Sequence, residues 1–127
     1  MRDAPVAWLI LILAGIFEVG WAVSLKASDG FSRFWPSAAT AVSMLISVVL
    51  LGVALERLPL GTAYAVWTGI GAIGTAAFGI VLFGEAATPA RLISIGLIVA
   101  GIAGLRLSAA SNAEAAGGNI QQAATRD

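Results

Sequence analysis

Four long apolar runs divide the chain, and the charged residues gather in the breaks between them. The runs extend from about Pro5 to Leu25, Pro36 to Leu55, Pro59 to Phe83 and Pro89 to Leu107. A helix needs about 20 mostly apolar residues to cross the hydrocarbon core of a bilayer. Each run therefore predicts one transmembrane helix, and together they predict an all-α membrane protein with one domain over residues 1–107. The breaks have local causes. Asp29-Gly30 is a turn pair, and Pro36 suits the first turn of the second helix. "ERLPLG" is short enough to force helices two and three into antiparallel contact. In "FGEAATPAR", Thr88 is placed as an N-cap with Pro89 at the first helical position. Trp8 and Trp35 fall near helix ends, where indoles favour the headgroup region. Residues 108–127 lack hydrophobic density and predict a disordered polar tail.

The first run is not read as a signal peptide. Such a segment has an apolar stretch of about 7–15 residues and a small-residue cleavage site. This run is longer, holds a glutamate, and starts with little basic character.

Composition sharpens the membrane reading. Of 127 residues, 59% are hydrophobic and only 11% are charged, against about a quarter charged in soluble domains. Formal net charge is zero, so no nucleic-acid partner is expected. The chain has no cysteine and no histidine. Disulfides, thiol nucleophiles, Cys/His zinc sites and imidazole catalysis are all excluded. No metal and no cofactor are expected, and no catalytic constellation lies outside the apolar runs, so the chain is not read as an enzyme.

Basic residues are balanced across the two sides. Arg2, Arg57 and Arg106 fall on one, Lys26, Arg33 and Arg91 on the other, with Arg126 far out on the tail. The positive-inside rule needs an excess on one side. Either a weak bias is settled by the tail or by translocation, or the chain inserts in both orientations. Four helices are also few for a transporter, which commonly uses inverted repeats around a midplane site. Two copies inserted oppositely would supply that inversion. Balanced charge and small size thus point together to an antiparallel homodimer.

The candidate chemistry centres on Glu18, near mid-depth of the first run. A charged side chain there costs at least about 2.5–3.5 kcal/mol on insertion scales. Because burial disfavours its charged form, it is a candidate proton carrier; the alternative is a protonated structural glutamate bonded across helices. Gly15 and Trp21 lie three residues either side, on its face. Helix two offers Ser43 and Ser47. Helix three offers Tyr64 and Trp67, which as membrane aromatics are also candidate interface anchors. No Lys or Arg lies deep in a run to pair with the acid, so its natural partner is a proton or an exogenous cation. The polar atoms a buried site could use are thus an acid, hydroxyls and indoles. Lys26 is expected to snorkel at the end of helix one.

Two glycine patterns are distinct. "GIGAIG" (Gly69 to Gly74) has a dinucleotide-binding spelling but follows no strand, so that reading is rejected. Gly69, Gly71, Gly74 and Gly79 instead suit close helix packing or a bend. In helix four, Gly96, Ala100 and Gly104 recur at spacing four beside Gly101, the pattern of a helix–helix contact, here assigned to dimer packing.

"AGIFEVGWAVSLK", "GFSRFWPS", "LPLGTAYAVWTGIGAIG" and "FGEAATPARLISIGLIVAGIAGLRL" together resemble the small multidrug resistance family, over about Ala7 to Leu107. Tryptophan three residues after the glutamate, in "EVGW", resembles the guanidinium-exporter subtype; exporters of polyaromatic drugs typically have a small residue there. The resemblance implies a secondary active transporter in the bacterial inner membrane, an antiparallel homodimer with both Glu18 carboxylates in one site. It implies proton-coupled export of guanidinium or small guanidinyl cations. Glu18 would bind substrate and protons, with Gly15, Trp21, Ser47, Tyr64 and Trp67 lining the site. Two rival readings are a quaternary ammonium exporter of the same family and a membrane subunit with no transport of its own.

Overall fold

The structure is a computed structural model that describes residues 3–126, and their side chains apart from residues 3, 4 and 109–116. Arg2, counted above on the N-terminal side, lies outside these residues. The chain forms four α-helices: α1 (Asp3–Ala27), α2 (Phe34–Ala54), α3 (Leu60–Phe83) and α4 (Pro89–Arg126). Each contains a stretch long and apolar enough to cross a membrane: Pro5–Ala27, Phe34–Ala54, Leu60–Phe83 and Pro89–Ser108. At about 1.5 Å per residue, 20 residues of helix reach about 30 Å, the thickness of the hydrocarbon core.

The breaks follow the expected chemistry with added detail. Between α1 and α2, the buried Ser28 hydroxyl donates to the Leu25 carbonyl (2.7 Å) and accepts the Phe31 amide (3.1 Å). Asp29, Gly30 and Phe31 all take positive φ (49°, 70° and 65°), so the turn is left-handed over three residues, where only glycine is unstrained. α2 starts two residues before Pro36, which sits in the first turn where a missing amide costs nothing. Gly84 ends α3 at φ 68°, and the Glu85 amide returns to the Gly79 carbonyl (3.1 Å). Thr88 caps α4: its hydroxyl accepts the Arg91 amide (3.2 Å). The Arg91 guanidinium donates to Glu85 Oε1 (2.9 Å) and to the Ala86 carbonyl (3.2 Å), closing the same loop.

Residues 108–126 differ from the expectation of disorder. α4 continues without interruption to Arg126. The segment is alanine-rich, with Glu114, Gln121 and Gln122, and these residues have high helix propensity. Low hydrophobicity removes the reason to enter lipid but not the reason to be helical.

α1 packs most extensively on α2 and then on α3; α2 and α3 meet sparingly, and the α4 backbone lies against α3 alone. The core is small. It joins Leu11 and Ala14 of α1, Leu51 and Ala54 of α2, and Ala63 and Val66 of α3. The side chain of Arg106 ties the far end of α4's span to the start of α1, with its guanidinium 4.5 Å from the Trp8 ring centre. Lys26 sits exposed at the end of α1, 5.9 Å from the Phe83 ring. Phe34 and Trp35 stack edge to face (5.2 Å) and are exposed, as an interfacial aromatic pair would be. None of the α4 span is buried within the chain. Bare apolar surface on that scale belongs against lipid or another chain.

Candidate functional site

Glu18 sits at the seam of α1 and α3. It is half-buried, and its Oε2 is buried with no hydrogen-bond partner among the described residues. Its arm lies directly on Gly71 of α3: a Cβ built there would fall 2.8 Å from Glu18 Cγ and 3.1 Å from Oε1. A carboxyl oxygen left bare in an apolar bundle is costly unless a proton or a cation can reach it. Among the described residues no other acid lies inside a span; Glu56 and Glu85 fall at helix ends.

Beside it runs a hydrogen-bond chain across three helices. Trp67 Nε1 of α3 donates to Ser47 Oγ of α2 (3.0 Å), and Ser47 Oγ donates to the Ala14 carbonyl of α1 (2.6 Å). Ser47 is fully buried. The chain ends one helical turn before Glu18, on the carbonyl that faces the Glu18 amide in the helix ladder. Within this chain the Ser47 hydroxyl and the Trp67 indole are bonded away from the carboxylate. The serine proton is committed to the Ala14 carbonyl because that oxygen lies directly across the α1–α2 contact, and the indole is committed to the serine.

The other expected residues fall at graded distances. Gly15 is buried, and a Cβ there would lie 2.6 Å from Ile70 Cγ2, so it is a packing hole for α3. Trp21 is half-buried, one turn beyond Glu18, and its indole donates to no described residue. Tyr64 is exposed and holds its ring 5.6 Å from that of Trp67, tilted by 52°. Ser47 and Trp67 are thus bonded to each other, Tyr64 lies against Trp67, Gly15 packs on Ile70, and none of these donates to the buried Glu18 Oε2 among the described residues. Gly96, Ala100, Gly101 and Gly104 lie exposed on α4. The Ala14 carbonyl carried no sequence signal, and Gly71 was legible as a packing glycine but not as the surface under Glu18. Gly71 lies four residues after Trp67, which places it on the same face of α3.

A concavity of about 660 Å³ opens between α1 and α3, lined by Val19, Gly20, Ile70, Gly74 and other mostly apolar side chains. It adjoins the Glu18 seam but does not include the carboxylate.

Four spans, one deep carboxylate and an aromatic–serine chain are found together with a family-level match. Residues 6–98 match the model of the Small Multidrug Resistance protein. The chain belongs to the Small Multidrug Resistance family. It is thereby a multi-pass membrane protein of a transporter family, as its four apolar helices require. Among its relatives, a guanidinium exporter of Salmonella typhimurium is 61% identical over 103 residues, 81% of this chain and 98% of the relative. One of Yersinia pseudotuberculosis is 62% identical over 102 residues, 80% and 98% of the two chains. One of Citrobacter freundii is 57% identical over 102 residues, 80% and 97%. Within the family, then, this chain resembles proteins named for guanidinium export across nearly their whole length.

Proposed function

We infer that this chain exports guanidinium or a small guanidinyl cation across the bacterial inner membrane in exchange for protons, as an antiparallel homodimer. The observation that carries the reading is Glu18: a carboxyl inside a span, one oxygen buried and unpartnered, with no basic side chain beside it. The names of the relatives supply the substrate class.

The chemistry of the site agrees with that class. Guanidinium is planar, permanently charged, and presents N–H donors that match both oxygens of a carboxylate. Ser47 and Trp67 satisfy each other and the Ala14 carbonyl, which leaves the carboxylate as acceptor for an incoming donor. Proton and cation compete for one group. If the site changes sides only when occupied by one or the other, inward proton movement drives outward cation movement. Two identical chains in opposite orientation make the two end states equal in energy, because the exchange merely swaps the roles of the subunits. Balanced loop charges and the exposed small-residue face of α4 support such a pair.

The test is reconstitution of this chain alone into liposomes carrying a luminal pH dye. A guanidinium gradient should drive proton flux, tetraalkylammonium ions should drive much less, and Glu18→Gln should abolish the flux while the dimer persists. Persistent coupled flux in Glu18→Gln would refute the role of the carboxylate. Equal flux with tetraalkylammonium would favour the broader exporter, and no flux with any cation would favour a subunit that needs another chain.

A further inference from the structure

α1 and α3 interlock through glycines, and the Glu18 arm is one of the teeth. Ile70 fills the space left by Gly15, Glu18 fills that of Gly71, and Val19 fills that of Gly74. The paired numbers rise together along both helices, as they must for parallel neighbours. A Cβ on Gly71 would lie 2.8 Å from Cγ, 2.9 Å from Cδ and 3.1 Å from Oε1 of Glu18. Ordinary contact begins at 3.4 Å, so the arm would have to retreat by about 0.6 Å (3.4 minus 2.8). The helices cannot simply part to make that room without undoing the Gly15–Ile70 and Gly74–Val19 contacts on either side. The carboxylate arm is therefore the element that gives way. No described donor holds its buried Oε2, so on that side it is located by packing.

We propose that Gly71 is a positioning residue for the Glu18 carboxylate: its missing side chain sets how far the acid withdraws against α3, and thereby the room and orientation offered to a planar cation. The proposal rests on the reading of Glu18 as the transport carboxylate. It distinguishes the two competing ligands. A proton needs one oxygen and tolerates a displaced arm. A guanidinium held by two parallel N–H···O bonds needs both oxygens in a fixed plane. Crowding at Gly71 acts on the second far more than on the first.

The test uses purified full-length protein and follows guanidinium-dependent proton release, acid–base titration of the carboxylate, and thermal unfolding. Gly71→Ala should still titrate, but bind guanidinium at least about tenfold more weakly, the scale of one impaired hydrogen bond to a charged group. Gly74→Ala is the control. It crowds Val19 on the same interface without touching the carboxylate, and should stay within about twofold in affinity even if its unfolding temperature falls as much. Adding Glu18→Asp to Gly71→Ala shortens the arm and should recover part of the lost affinity. Wild-type affinity in Gly71→Ala, or an equal loss in Gly74→Ala, overturns the proposal. If Gly71→Ala does not fold, the double variant decides: restored folding supports the contact and continued failure overturns it. Absence of guanidinium-dependent release from the wild type would instead sink the reading of Glu18.

Discussion

Replacing Ser47 by alanine removes the middle link of the only hydrogen-bond chain that joins α1, α2 and α3 among the described residues. Two losses follow, and they are separable. The bond to the Ala14 carbonyl is an interhelical bond in a membrane bundle, worth about 0.6 kcal/mol on average and up to about 1.7. The Ala14 oxygen keeps its place in the helix ladder, so that loss is not compounded. The Trp67 N–H is then left without its acceptor in a partly buried site, at a cost of about 1–3 kcal/mol. Ser47→Ala should therefore destabilise the fold by about 2–5 kcal/mol. In a Trp67→Phe background no indole remains to be orphaned, and the same change should cost only about 0.6–1.7 kcal/mol. The double-mutant cycle should show a coupling of about 1–3 kcal/mol, well above the scatter of about 0.3–0.5 for independent sites. Reversible unfolding in mixed micelles by added sodium dodecyl sulfate, followed by circular dichroism, measures all four corners. Additive effects would refute the chain, because the packing lost on Trp67→Phe cancels from the cycle and only the Ser47–Trp67 bond remains in the difference.

Three further outcomes follow from other contacts. Arg106→Met keeps the apolar stem but removes the cation from the Trp8 ring, and should lower stability in the same assay by about 0.5–2 kcal/mol; Arg106→Lys should lose less, and an unchanged Arg106→Met would show the contact to be incidental. Glu85→Gln breaks an ion pair whose side chains are 33% and 40% exposed, so it should cost less than about 1 kcal/mol, and the difference should shrink further in high salt. Ending the chain after Ser108 should reduce the helical dichroism by the contribution of residues 109–126 while guanidinium-driven proton flux is retained; loss of flux would assign the extension a role in transport.

The parts of this structure that could be read from sequence are those with local causes. A run of about 20 apolar residues specifies a span by itself, and the Thr88 cap with Pro89 behind it specifies where α4 begins. Glu18 stood out because a charge inside such a run has no bland setting. What could not be read depends on how one helix is rotated against another. "GIGAIG" announces small residues, but Gly69 and Gly71 point about 200° apart on a helix that turns 100° per residue. Gly69 accordingly receives Ile102 and Ile98 of α4, while Gly71 receives Glu18 of α1. Nothing in the spelling says which glycine serves which neighbour. Ser47 is the same case: a serine among aliphatics is visible, but its acceptor is a main-chain oxygen thirty-three residues earlier, fixed only by the α1–α2 register. The helical state of residues 108–126 is hidden for another reason: hydrophobicity reports affinity for lipid, whereas alanine favours the helix in either medium.

These contacts divide the bundle unevenly. α1 and α2 share the broadest contact, and the α4 backbone lies against α3 alone while its Arg106 side chain reaches Trp8 of α1. α2 and α3 meet sparingly, and the Trp67–Ser47 bond is their one polar link among the described residues. The bundle is thus organised around α1, which packs on α2 and, along one seam, on α3, and the α4 backbone is added through α3. That seam is made of glycine holes, which permit close approach but contribute no directional bond of their own, and Ser47–Trp67 is the polar link between α2 and α3 beside it. Glu18 is lodged in that seam against Gly71. If Glu18 is the group that binds, as proposed, its ligand acts directly on the packing of α1 against α3, because the arm itself fills the space left by Gly71.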